Sequence, residues 1–165
     1  SKTISIKVAK GAITPAPLAA LELSSLQGYI NDIAFAGTQT SVQTYDSDKL
    51  YLKCTVYYNG QYASVITGAT GTLITAVEAY LAAIPFDGNV RIVSLTDAIQ
   101  AVAGVIDLVI DDCAMRADTV AFGSKTYLIQ TKTEVYPSYP TFAGYIVGET
   151  TGGSTLVDQI TFVAQ

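Results

Sequence analysis

The chain has 165 residues, of which 50% are apolar and 14% charged, with a formal net charge of −5 and no histidine. That length suits one domain, or two small modules sharing a core. A charged fraction well below the roughly 25% of ordinary soluble domains points to a surface partly covered by a partner. The nine basic residues are scattered and outnumbered, which argues against a phosphate backbone as the main ligand. Without histidine, Ser-His-Asp and Cys-His nucleophile systems and histidine-ligated zinc cannot be assembled within this chain. The two cysteines, Cys54 and Cys113, form no CxxC pair. Cys54 reads as a buried thiol and Cys113 falls at a strand end; whether they pair is open from sequence, and a reducing compartment is the default. No apolar run approaches the roughly 18 residues of a membrane span, and no charged-then-apolar signal opens the chain, so it reads as soluble.

In chain order, residues 3–8 alternate with Ile4, Ile6 and Val8 on one face, as in a half-buried strand. After a linker containing Gly11 and Pro15, Pro17 suits the first turn of a helix. Leu18, Leu21, Leu26, Tyr29, Ile30 and Ile33 recur at helical spacing, with Gly37 as the stop. Gly28 inside this helix costs about 1 kcal/mol relative to alanine, which close packing against a neighbour would explain. A short strand over Thr40–Thr44 precedes a YDSD turn. In the clearest strand, Leu50–Tyr58, Leu50, Leu52, Cys54, Val56 and Tyr58 share a face. Asn59-Gly60 signals a hairpin returning through Tyr62–Ile66.

Thr70 or Thr72 can cap the next helix, whose stripe is Leu73, Val77, Tyr80, Leu81 and Ile84, closed by Pro85. A turn at Phe86–Asn89 leads to extended Val90–Val93, and Ser94 with Asp97 forms a capping-box variant. The helix it opens carries Leu95, Ala98, Ile99 and Val102 and stops at Gly104. Val105–Ile110 is a strand, residues 112–124 a loop or irregular hairpin, and Tyr127–Thr133 another strand. Beyond lie the aromatic and proline-rich Tyr136–Tyr145, a brief strand at Ile146-Val147, a Gly/Thr loop, and a final strand over Gln159–Ala164.

Groups that could carry chemistry are few. Asp107 and Asp111 on one strand face would stand roughly 13 Å apart, too far for one metal or one scissile bond. Together with Asp112 they read as solvated turn formers, and no metal or cofactor is expected. Nucleotidyl transfer would want a Gly-Ser loop followed by Asp-x-Asp. Here Gly123-Ser124-Lys125 follows the acidic run, and Asp46-Ser47-Asp48 lies far upstream. Gly68-Ala-Thr-Gly71 lacks the lysine of a phosphate-binding loop. Tyr136, Tyr139, Phe142 and Tyr145 are candidates for a protein- or glycan-binding platform, or for packing beneath their own loop.

Over Lys49–Asp112 the chain resembles the C-terminal portion of baseplate J-like proteins, wedge components of contractile phage tails and related injection systems. The likeness rests on LYLKCTVYY before ITAVEAYLAAI, the connector PFDGNVRIVS, and a short helix ending in Val102-Ala-Gly-Val105. Upstream, LAALELSSLQGYINDIAFAGTQTSVQT is similar to a linking helix of some relatives, and the tail loosely resembles an aromatic Gly-Tyr ending. The resemblance implies no catalytic residues and a virion structural protein. It implies packing against its own copies and neighbouring wedge proteins, in a baseplate assembled in the host cytoplasm.

The expected fold is therefore α+β: a mixed sheet of about four to six strands, two helices on one face, and a projecting N-terminal helix. Residues 1–45 form an arm and 46–165 a compact module. The leading functional expectation is a non-enzymatic, oligomeric wedge component, with Leu21, Tyr29, Tyr136, Tyr139, Phe142 and Tyr145 as interface candidates and no nucleic-acid or membrane partner. The alternative is a receptor- or glycan-binding tail module using Tyr136–Tyr145, and a distant third is an enzyme built on Asp107, Asp111 and Asp112.

Overall fold

The computed structural model describes residues 2–11 and 15–165. Its architecture is α+β, with a six-stranded mixed sheet at the centre. The middle strand is β3 (Asp48–Tyr58, following β1 Lys2–Lys7 and β2 Thr38–Gln43), whose side chains alternate in burial along its length. Leu50, Leu52, Cys54, Val56 and Tyr58 form its buried face, the period-2 pattern the sequence carries.

One side of β3 pairs antiparallel with β5 (Val105–Arg116), after β4 (Asn89–Arg91). Its other side takes two parallel strands end to end, β9 (Ile146–Gly148) at Asp48–Leu50 and β10 (Ile160–Ala164) at Cys54–Tyr58. The sheet continues from β5 through β6 (Thr126–Gln130) to β7 (Thr133–Glu134), while β8 (Ser138–Pro140) pairs with β4.

On the buried face lie α3 (Thr72–Ala83) and α4 (Ile92–Gln100), after α1 (Ala20–Ile33) and α2 (Ala63–Ile66). Leu73, Ile74, Val77 and Leu81 of α3 and Ile92, Leu95 and Ile99 of α4 pack with the β3 face, Met115 and Leu128. A one-turn helix, α5 (Leu156–Gln159), drops Leu156 onto the same core, where Gly148 makes room for it.

Several sequence expectations are corrected. The Asn59-Gly60 hairpin does not form: Gly60–Tyr62 is a 3-10 turn running into α2. A type I′ turn needs positive φ at both central residues. Asn59 instead has φ −68, and its side chain accepts the Gln61 N–H at 3.0 Å. Both flanks of β3 are already occupied, so a return strand has nowhere to pair.

The α3 N-cap is Gly71 rather than a threonine; a Cβ there would sit 2.2 Å from the Ile66 carbonyl oxygen. Ser94 lies inside α4, which begins at Ile92, where the Ile92 N–H donates to the Pro137 carbonyl at 3.2 Å. β5 runs on through the expected loop to Arg116, because Cys113, Ala114 and Met115 are buried against Leu52, Tyr51 and Leu50. Cys113 is thus inside a strand rather than at its end, and it and Cys54 are free thiols that burial pushes up to about 12. Tyr127–Thr133 is broken by a turn in which Thr131 and Lys132 take φ 50 and 64. The Asp112 carboxylate holds that turn by accepting the Thr131 N–H at 2.8 Å.

Residues before β3 form a β1–α1–β2 unit whose two strands are parallel. The helix begins at Ala20, past Pro17, where Glu22 accepts the Ala19 N–H at 2.7 Å. Nothing lies within 4 Å of a Cβ built on Gly28, so no contact in the described chain explains that glycine. Gly37, at φ 86, shapes the turn into β2, with Thr38 N–H donating to Phe35 O at 3.0 Å. The unit is tied to the rest by a Lys7–Asp87 ion pair.

Candidate interaction surface

On α1 no residue is buried. Leu23, Leu26 and Ile30 are half-buried towards β2, whereas Leu21, Tyr29 and Ile33 are exposed by 80%, 61% and 59%. Leu21, Ser25, Tyr29 and Ile33 are four apart, which makes them one ridge of the helix, the kind that packs into the grooves of another helix. Phe35, two residues beyond the helix end, is 88% exposed. The helical spacing in the sequence includes Leu21, Tyr29 and Ile33 alike, with Leu21 and Tyr29 named as interface candidates, whereas Phe35 lies outside the repeat and carries no signal.

The second patch is the 136–145 segment. Tyr136 and Phe142 are exposed, and Tyr139 is half-buried in β8, opposite Val90. Tyr145 departs from the expectation of an interface residue: it is buried, and its hydroxyl donates to the Tyr45 carbonyl at 2.9 Å. It belongs to the packing under the loop. Two partners absent from the sequence reading complete the patch. Tyr45 meets the Phe142 ring at 4.6 Å between centroids, and half-exposed Phe86 lies against Gly144. The α1 ridge and this aromatic segment sit on separate elements, one in the β1–α1–β2 unit and one between β7 and β9.

Asp48 fixes the loop. Fully buried at the start of β3, its carboxylate accepts the Phe142 N–H and, at 3.2 Å, the Ala143 N–H. Burial pushes this acid above its usual range, against the pull of those two N–H donors. Asp48→Ala would leave two amide donors without their acceptor, and a stability loss of about 2 kcal/mol is expected. Faster hydrogen exchange at Phe142 and Ala143 in the variant than in the wild type would check the assignment. The aspartate reads as a turn former in sequence, so only the fold reveals this role.

On the far face of β3, Lys125 lies over the rings of Phe122, Tyr51 and Tyr127 at 3.9, 5.0 and 5.1 Å, pinning the connection after β5. A cleft of about 670 Å³ separates the C-terminal end of α3 and the 85–86 turn from residues 144–148, bounded on the arm side by Ala9, Gly11 and Pro15. Its walls are mainly apolar, with Glu78 the carboxylate among them.

The carboxylates considered for catalysis are spoken for locally. Asp107 accepts the N–H of Leu108 at 2.8 Å, Asp111 pairs with Lys132 at 3.5 Å, and Asp112 holds the Thr131 turn. Among the described residues no group of three or more His, Cys, Asp or Glu is placed to hold a metal ion, and no helix is long and apolar enough to cross a membrane.

No protein-family model matches the sequence, and no curated protein matches it significantly.

Proposed function

We propose that this chain is a structural component of a contractile-tail baseplate wedge, acting through subunit packing rather than catalysis. The observation that carries the proposal is α1. It is a 14-residue helix with no buried residue and an outward ridge of Leu21, Tyr29 and Ile33. A helix of that length is marginal in water unless its apolar faces are packed. Of its six large apolar side chains, Leu21, Tyr29 and Ile33 remain mostly exposed. The low charge supports the same reading. In this account the chain resides in the tail baseplate of the virion, after assembly in the host cytoplasm with its own copies and neighbouring wedge proteins.

Co-expression with the proteins encoded beside it tests the proposal. Tyr29→Asp places a charge in the middle of the ridge, outside the folded core. It is expected to weaken co-purification at least ten-fold while leaving the melting temperature unchanged. Equal recovery of both proteins would count against the ridge as the assembly surface. The exposed Phe142 ring, tilted by 52° against Tyr45, favours a second reading, a receptor- or glycan-binding tail module. That reading requires sugar binding that disappears in Phe142→Ala.

A further inference from the structure

The two edges of the β1–β2 sheet are treated differently. The outer edge of β2 is closed by a side chain: the Gln27 amide accepts the Val42 N–H at 2.7 Å and donates to the Thr40 carbonyl at 3.0 Å. One glutamine thus meets two successive main-chain groups as a neighbouring strand would. The outer edge of β1 has no strand beside it among the described residues. The Val8 N–H donates to Gln43 of β2, so the alternate residues Thr3, Ser5 and Lys7 direct their main-chain groups outward. Thr3, Ile4 and Ser5 are exposed. An edge of free donors and acceptors is a template for another strand.

We propose that this edge pairs with the same edge of a second copy, antiparallel about Ser5, giving a four-stranded sheet in the order β2-β1-β1-β2. The inference rests on the reading of the chain as an oligomeric building block and names one of its contacts. The strand is self-complementary in this register. Ser5 faces Ser5 of the second copy, Thr3 faces Lys7 and Ile4 faces Ile6, closing about six main-chain hydrogen bonds. Ile4 and Ile6 share the face of buried Val42, so the exposed Ile4 side chain gains an apolar cross-strand neighbour. Charge selects the direction as well. A parallel, in-register pair would set each lysine beside its own copy, whereas the antiparallel pair sets Lys7 against a threonine. A two-fold contact of this kind is closed and does not propagate into a filament.

The test uses the purified full chain. Ser5→Pro removes only an outward N–H and leaves the inward ladder to β2 in place. Sedimentation velocity is expected to show a concentration-dependent dimer for the wild type and an at least ten-fold weaker one for Ser5→Pro. Ser5→Cys gives an independent reading. Directly opposed positions lie about 5.5 Å apart between Cα atoms, within disulfide range, so mild oxidation should produce a covalent dimer. Gln39→Cys, exposed on the covered strand, should remain uncrosslinked. A wild type that is monomeric at every concentration, a Ser5→Pro dimer as tight as wild type, or a Ser5→Cys chain that fails to crosslink would overturn the pairing. A chain that is monomeric alone yet captured by tail proteins defeats the pairing and spares the wedge reading. A β1-dependent dimer indifferent to tail proteins does the reverse.

Discussion

Arg116→Met is expected to lower folding stability by about 3–5 kcal/mol at neutral pH, the usual cost of stranding one partner of a buried ion pair. Arg116, at the end of β5, grips Glu149 with two parallel bonds of 2.7 Å, and the Glu149 side chain is fully buried. The guanidinium also donates to the carbonyls of Asp118 and Val120, so one side chain ties β5, the following connection and the loop after β9 together. Burial pushes the Glu149 carboxyl up. Arg116, the N–H groups of Thr151 and Thr150, and the Thr151 hydroxyl outweigh it and hold the acid at about 2, below its ordinary 4.5.

A depressed carboxyl stabilises the fold above its unfolded value, and that contribution drains away as pH falls through the folded one. Wild-type stability should therefore decline from about pH 4.5 towards pH 2. In Arg116→Met the guanidinium no longer offsets burial and only the Thr150 and Thr151 donors remain, so the carboxyl moves up and the deficit relative to wild type should shrink on acidification. Urea unfolding at pH 7 and pH 3 measures both slopes. A deficit that is the same at both would remove the ion pair from the account.

Leu52→Ala is expected to cost about 2–5 kcal/mol, the range for emptying a close-packed site. Leu52 is fully buried at the centre of β3, paired with Cys113 on one side, on the face where α3 and α4 pack. Its neighbour Lys53 points to the exposed face, and Lys53→Ala should stay within about 0.5 kcal/mol. Chemical denaturation of the two variants gives the contrast directly. Equal effects would mean that the faces of β3 have been assigned wrongly.

These cases show what was legible in the sequence. Strict alternation over Leu50–Tyr58 and the stripe through Leu73, Val77 and Leu81 are local patterns, and both elements and their buried faces follow from them. The α+β class followed from their succession. Asn59-Gly60 misled because its hairpin meaning depends on a free strand edge, and β10, more than a hundred residues downstream, already holds that edge. Ser94 misled for a similar reason, since the start of α4 is set by Pro137 across space.

The surface was harder to read. Helical spacing places Leu21 and Tyr29 on a helix but does not say which of its two apolar faces meets β2. The 136–145 run announces aromatics, yet whether Tyr145 faces outward depends on the Tyr45 carbonyl that receives its hydroxyl. Asp48 and the Arg116–Glu149 pair join residues 94 and 33 positions apart, separations at which a single sequence carries no pattern.

Native mass spectrometry of the intact chain, alone and after co-expression with the proteins encoded beside it, tests the central claim most directly. The account predicts defined complexes containing this chain in integral copy number, lost when Tyr29 carries a charge. A chain that remains a monomer alone and in the presence of every one of those proteins would contradict it.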